Sequence, residues 1–118
     1  MKHKEEAINK MAKQVMEDIG WTYNENTSPH SWFKSVDEQI EDMPSVKKHP
    51  RFEEYKAILF PKWTSAFDFP LEDEWEGRNV MFLEISDETG EPYKISHKQV
   101  RLKIIKNEQG KYEKGPAV

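Results

Sequence analysis

Ten consecutive residues, 67–76, combine five carboxylates with four large apolar side chains. Carboxylates beside exposed aromatic rings suit a surface on which another protein docks, because rings supply anchors and charges steer association. The residues that we expect to contact such a partner are Phe69, Glu72, Asp73, Glu74 and Trp75. The alternative is a lid, in which the apolar side chains cover the open end of the core while the acids face water.

A second candidate surface is the basic stretch 93–114, which carries seven Lys or Arg residues against two Glu residues. Its net charge is +5 in a chain of −4, so the remainder carries −9. A division of charge along a chain indicates a binding partner. On a sheet face, these cations could hold phosphates while a ring stacks on a base. The residues for this nucleic-acid role are Tyr93, Lys94, Arg101 and Lys103. Alternatively, the lysines protect an exposed strand from edge pairing.

Known catalytic patterns are absent from the sequence. The five glycines are isolated, so no loop of the phosphate-binding type is present, and there is no Gly-x-Ser-x-Gly motif. The four histidines lie in separate segments without ligand spacing, and we therefore expect no metal site and no cofactor. We name no catalytic residue.

One acid pair, Asp68 and Glu84, has a spacing that a carboxylate-based hydrolase could use. Such a site usually needs a lysine two residues after the strand acid, and position 86 is serine. We therefore expect Glu84 to be an outward-facing, solvated residue, and an enzyme is the less favoured interpretation.

The composition also limits the compartment. The chain has no cysteine, which excludes disulfides and thiolate chemistry and fits a reducing environment. No apolar run approaches the roughly 18 residues of a membrane span or the apolar core of a secretory signal. Charged residues make up 34% and aromatic residues 12%. Since disordered chains are poor in large apolar side chains, we predict a folded, soluble, cytoplasmic protein without membrane contact.

Three helices are predicted in the first half of the chain. Apolar side chains recur at helical spacing over 4–19. A second helix is predicted over 29–43 and begins either at Pro29, as an N1 proline, or after Ser35, whose spacing to the following acids suits a capping box. A third is predicted over 50–60, between two prolines.

Strand patterns dominate the second half. Residues 62–77 lack a clear period and are predicted to be irregular. Beyond them, antiparallel strands are predicted near 79–86, 93–97, 99–106 and 110–114. The expected core comprises Ile8, Met11, Val15, Ile19, Trp32, Val36, Ile40, Phe52, Tyr55, Leu59, Val80, Phe82, Leu102 and Ile104.

The predicted fold class is therefore α+β, with three N-terminal helices followed by an antiparallel β-meander of three to four strands. We predict a single domain over 1–118, with helices confined to residues 1–61, an irregular segment 62–77, strands within residues 78–114 and a mobile tail 115–118. The predicted function is that of a non-enzymatic binding or regulatory protein, an inhibitor or accessory protein, whose partner is another protein. Its composition resembles that of small accessory proteins of bacteria and phages. The alternatives are a nucleic-acid-binding module and a carboxylate-based hydrolase.

Overall fold

The computed structural model describes residues 1–70, 80–97 and 100–118, and these form an α+β fold with one six-stranded sheet. The helices are α1 (Glu5–Ile19), α2 (Val36–Glu41), α3 (Pro44–Lys47) and α4 (Phe52–Ala57). The strands are β1 (His30–Lys34), β2 (Lys62–Asp68), β3 (Val80–Ser86), β4 (Pro92–His97), β5 (Val100–Lys106) and β6 (Tyr112–Ala117). All neighbours are antiparallel and the strand order follows the chain, so the sheet is a meander.

Helix α1 is confirmed where the sequence predicts it. Glu5 and Glu6 lie in its first turn, where the helix dipole stabilises anions. It ends at Gly20, whose φ of 76° is left-handed and favours glycine. No helix among the described residues is long and apolar enough to span a membrane.

The core lies between α1 and one face of the sheet, called here the inner face; the opposite face is the outer face. Along β2, every second side chain is buried, as the alternation of a strand requires. The buried apolar cluster consists of Ile8, Ala12, Val15, Met16, Ile19, Trp63, Phe67, Met81, Leu83, Ile85, Ile95 and Ile104. The core is therefore one layer of side chains between a helix and a sheet.

The second helix begins after Ser35 and not at Pro29. The Ser35 hydroxyl accepts the Glu38 backbone N–H at 3.2 Å, and the Glu38 carboxylate accepts the Ser35 N–H at 3.1 Å, which completes the capping box. The preceding residues form β1 instead of a first helical turn, because they pair with β2. A short additional helix, α3, precedes α4, so the described residues contain four helices where three were predicted.

Two predictions about the second half were also wrong. Residues 62–68, expected to be irregular, form β2, and the sheet has six strands where three to four were expected. At the other end, β6 extends to Ala117 and pairs with β5, where a mobile tail was expected from Gly115. Pro116 is compatible with this position because β6 is an edge strand.

The phase of β3 differs from the prediction by one residue. Met81, Leu83 and Ile85 point into the core, whereas Phe82, predicted to be buried, keeps 39% of its surface exposed on the outer face. A shift of one residue in a strand moves every side chain to the opposite face. Tyr55 of α4 was also expected in the core and is likewise 39% exposed.

Candidate binding face on the sheet

Two rows of residues cross the outer face of the sheet, each made of directly paired positions. The first row consists of Trp32, Thr64, Glu84, Lys94 and Lys103. The second row consists of His30, Ala66, Phe82, Ser96 and Arg101. Directly opposite residues of antiparallel strands have Cβ atoms about 5 Å apart. The two rows, with Lys62 and Tyr93 beside them, are called here the basic–aromatic face.

Three rings form the aromatic side of this face. The Phe82 ring packs edge-on against Trp32, with centroids 6.4 Å apart and an interplanar angle of 79°. The imidazole of His30 lies 5.8 Å from the Trp32 ring. Because Phe82 is 39% exposed on a central strand, no described helix covers the sheet at this point. The face thus offers an apolar ring that is fixed by a neighbour yet accessible to solvent.

Glu84 is the buried charge of the face. It is 8% exposed and accepts ion-pair contacts from Lys62 and from Lys94, whose Nζ lies 2.7 Å from its carboxylate. Burial alone would raise the pKa of the Glu84 carboxyl, but hydrogen bonds and the positive charges of the two lysines hold it below its usual value. The prediction of a solvated Glu84 was therefore wrong. Two ammonium groups share one carboxylate, so this cluster has a net positive charge.

Tyr93 lies next to Glu84 because the register of β3 and β4 shifts between Glu84 and Ile85. Its ring is half-buried and packs edge-on against Phe60, with centroids 5.2 Å apart. Burial, followed by the negative charge of Glu84, raises the pKa of the Tyr93 phenol well above its usual value. The phenol is neutral at physiological pH, as an unperturbed tyrosine also is, and its ring is engaged with Phe60.

The remaining cations of the face, Arg101 and Lys103, are exposed. Lys103 lies directly opposite Lys94, and Arg101 lies opposite Ser96. Neither forms an ion pair with another residue of the described ranges. Three of the four residues predicted for nucleic-acid binding thus lie in the two rows of the face, and the fourth, Tyr93, lies beside them next to the buried carboxylate.

The acidic segment predicted to dock a partner lies mostly outside the described residues. Of its members, Phe69 is half-buried, packs against the core cluster and lies edge-on to His97, with centroids 5.5 Å apart. Inward packing of this ring agrees with the lid alternative at this one position. The structure does not describe Glu72, Asp73, Glu74 and Trp75. Docking through this segment therefore stays a prediction.

The acid pair considered for hydrolysis is separated by the register of the sheet. Asp68 pairs with Val80 on β3, whereas Glu84 lies four residues further along that strand, which corresponds to about 13 Å. The Asp68 carboxylate accepts a hydrogen bond from the Thr27 hydroxyl at 2.6 Å. Within the described ranges, no group of three His, Asp or Glu residues could hold a metal ion. The geometry therefore gives this pair no shared site.

Sequence reasoning missed most residues of the face, among them Trp32, Lys62 and Phe82. Trp32 was assigned to a helix, Lys62 to an irregular segment and Phe82 to the core. Because of these assignments, none of the three was expected on the outer face of the sheet. The available signal for Lys62 was the composition of the segment 62–68, in which Trp63, Thr64 and Phe67 are residue types that favour a strand.

Comparison with known proteins assigns no identity to this geometry. No protein-family model, curated protein or solved structure significantly matches the chain. What the chain does therefore has to be inferred from the chemistry of its own surface, above all from the basic–aromatic face.

Proposed function

We propose that the chain is a non-enzymatic binding protein that docks on another protein through the basic–aromatic face. The observation that carries this proposal is Phe82, a large apolar ring on a central strand with 39% of its surface in solvent. Residues that dominate binding energy are typically aromatic or Arg side chains near the middle of an interface, surrounded by contacts that exclude water. Phe82 and its neighbour Trp32 have that composition and position.

The charges around Phe82 define the chemistry of the partner. Arg101 and Lys103 supply exposed positive charge, and Lys62 and Lys94 outnumber the carboxylate that they share. Complementary charge steers encounter and fixes orientation. The partner surface that fits is therefore an apolar pocket bordered by Asp or Glu side chains.

The proposed role is regulatory, because the sequence contains no known catalytic pattern and a non-enzymatic protein acts by occupying a surface of its partner. The chain would act as an inhibitor or accessory protein of bacterial or phage origin, as predicted from the sequence. The proposed compartment is the reducing environment of the cytoplasm, which is consistent with the lack of cysteine.

A second candidate function, nucleic-acid binding, is favoured by one specific observation. Lys94 and Lys103 lie side by side, Arg101 is in the adjacent row, and the exposed Phe82 ring belongs to the same row. Basic groups that contact phosphates, combined with rings that stack on bases, are the usual means of binding single strands. The net charge of −4 for the whole chain opposes this function, since a polyanion is repelled at long range.

The test uses a matched pair of aromatic variants. Phe82→Ala removes the exposed ring of the face, whereas Tyr55→Ala removes a ring with the same 39% exposure on α4. Wild type and both variants are used as bait in nuclease-treated lysate of the source organism. We expect a protein that is retained by wild type and by Tyr55→Ala but is lost with Phe82→Ala. Equal retention by all three baits contradicts docking through this face.

Nucleic-acid binding is tested separately with a fluorescent single-stranded oligonucleotide of about 20 nucleotides, at about 50 and about 200 mM salt. If the face holds phosphates, affinity falls steeply with salt, and the double variant Arg101→Glu/Lys103→Glu abolishes binding. The control Lys4→Glu/Lys48→Glu changes the net charge equally at two exposed sites that are not part of the face. We expect no saturable binding of the oligonucleotide by wild type, and binding that only the first double variant removes would replace the protein partner with a nucleic acid.

A further inference from the structure

A cleft of about 430 Å³ lies between the second half of α1 and the segment that follows it. Its lining consists of Lys13, Glu17, Trp21, Thr22, Tyr23 and Glu25. These residues belong to α1 and to the segment before β1, and none is part of the basic–aromatic face. The cleft is therefore a separate feature of the molecule, and its volume lies within the range of small-molecule sites.

Two rings of the cleft are held in place by the core. Tyr23 packs edge-on against the buried Phe67, with centroids 4.7 Å apart. Trp21 packs edge-on against His97, with centroids 5.0 Å apart. Both Trp21 and Tyr23 are half-buried and contact the core cluster. The rings are thus fixed before any ligand arrives, and little conformational entropy is lost when one binds.

The residues that line the cleft carry a net negative charge. Burial raises the pKa of the Tyr23 phenol, and the charges of Glu25 and Glu17 raise it further, so both carboxylates act on the same hydroxyl. Lys13 offsets only one of these two negative charges.

The chain itself shows that Trp21 accepts a cation. The Nζ of Lys114 lies 5.7 Å from the centroid of the Trp21 ring, within the distance at which the face of an indole attracts a positive charge. Lys114 is not part of the cleft lining, so the cleft retains room for a second ammonium group beside the same ring system, although the charge of Lys114, like that of Lys13, opposes it.

We propose that this cleft binds an organic ammonium group, with Trp21 and Tyr23 contacting its alkyl surface and Glu17 and Glu25 balancing its charge. Aromatic rings with nearby carboxylates recognise quaternary ammonium ions because such ions are positive, polarisable and weakly hydrated. The same chemistry is carried by free choline and by a trimethylated lysine side chain. Lys13 opposes binding, so its removal tightens the complex.

The experiment titrates choline chloride into the full ¹⁵N-labelled chain and follows amide and indole resonances, with sodium chloride at equal ionic strength as the control. We expect saturable shifts at Trp21 and Tyr23 with choline alone. Glu17→Gln/Glu25→Gln weakens binding about tenfold, which corresponds to about 1.4 kcal/mol, because both negative charges near the cation are removed. Lys13→Gln strengthens it, and Glu53→Gln, an exposed acid on α4, changes nothing.

A second arm uses a peptide with a single trimethyllysine, and an unmethylated peptide as its control. Tighter binding of the methylated peptide than of choline identifies a protein-borne ligand, and equal binding identifies the ammonium group as sufficient. Shifts that do not saturate, or that are equal in the Glu17→Gln/Glu25→Gln and Glu53→Gln variants, overturn the proposal. Because no residue of the basic–aromatic face is changed, this result is independent of the proposed function.

Discussion

Replacing Glu84 with Gln removes the shared negative charge between Lys62 and Lys94 and keeps the size of the side chain. The two ammonium groups are only 27% and 30% exposed, so both stay partly desolvated without a counter-ion. A hydrogen bond to a charged group contributes about 1.5–3 kcal/mol, and removing one partner of a fully buried pair costs about 3–5 kcal/mol. Since solvent reaches both lysines and screens the pair, we expect Glu84→Gln to lower the free energy of unfolding by about 2 kcal/mol at pH 7.

The pH dependence of this difference has a definite sign. The pKa of Glu84 in the folded chain lies below its usual value of 4.5, so its ion pairs contribute stability fully above that value. This stability is lost as the pH falls through the lower, folded pKa. The gap between wild type and Glu84→Gln is therefore constant near neutrality and closes in acid, below about pH 4.

Urea denaturation of both proteins at a series of pH values measures the gap. The control is Glu91→Gln, because Glu91 is 52% exposed and pairs with Lys106 at 3.5 Å; an exposed pair of this kind contributes about 0–1 kcal/mol. A gap for Glu84→Gln that matches the control, or one that persists unchanged at about pH 3, would refute the argument that Glu84 is a buried and ionised counter-ion.

Three further substitutions test the framework around the face. Asp87→Asn weakens the hydrogen bonds that the buried carboxylate accepts from the Trp63 indole at 3.0 Å and from backbone N–H groups; we expect a loss of about 2 kcal/mol in urea denaturation. Gly90→Ala places a side chain at a left-handed φ of 73°, with its Cβ 2.9 Å from the His3 imidazole. We expect the resulting strain, about 1–3 kcal/mol, to lower the melting temperature. Ile104→Ala creates a cavity in the core, and we expect a loss of about 2–5 kcal/mol; less than about 1 kcal/mol would place Ile104 outside the core.

Local signals in the sequence correctly predict those elements that are specified by residues close together in the chain. Helix α1 has a clear apolar stripe and a left-handed terminal glycine, and α2 has a capping box in which the residues next to Ser35 decide where the helix begins. Strands β3, β4 and β5 were located within the usual error because alternation and turn residues are short-range patterns.

The remaining elements depend on partners distant in the chain. β1 is a five-residue segment that pairs with a strand about 30 residues later, and short apolar patterns do not distinguish a helix from such a strand. The error in the predicted phase of β3 also arose because local sequence did not decide it. The first four residues of this strand are all apolar, so either set of alternate side chains was compatible with the core.

The candidate face was accessible to sequence reasoning only in pieces. Lys94, Arg101 and Lys103 were identified from local charge, because they lie in one basic stretch. The contact of Lys62 and Lys94 with one Glu84 carboxylate requires the register of three strands, which no spacing in the sequence encodes. The exposure of Phe82 likewise follows from which face α1 covers.

The most direct test of docking through the basic–aromatic face measures binding and stability on the same variant. Phe82→Ala and Tyr55→Ala are compared with wild type for affinity toward the protein retained by wild type, by calorimetry, and for unfolding in urea. We predict that Phe82→Ala loses at least about 2 kcal/mol of binding, about 30-fold in Kd, while its unfolding free energy falls by less than the roughly 3–5 kcal/mol of a buried Phe. Tyr55→Ala retains wild-type affinity. Unchanged affinity for Phe82→Ala, with a loss of stability typical of a core residue, would contradict the account.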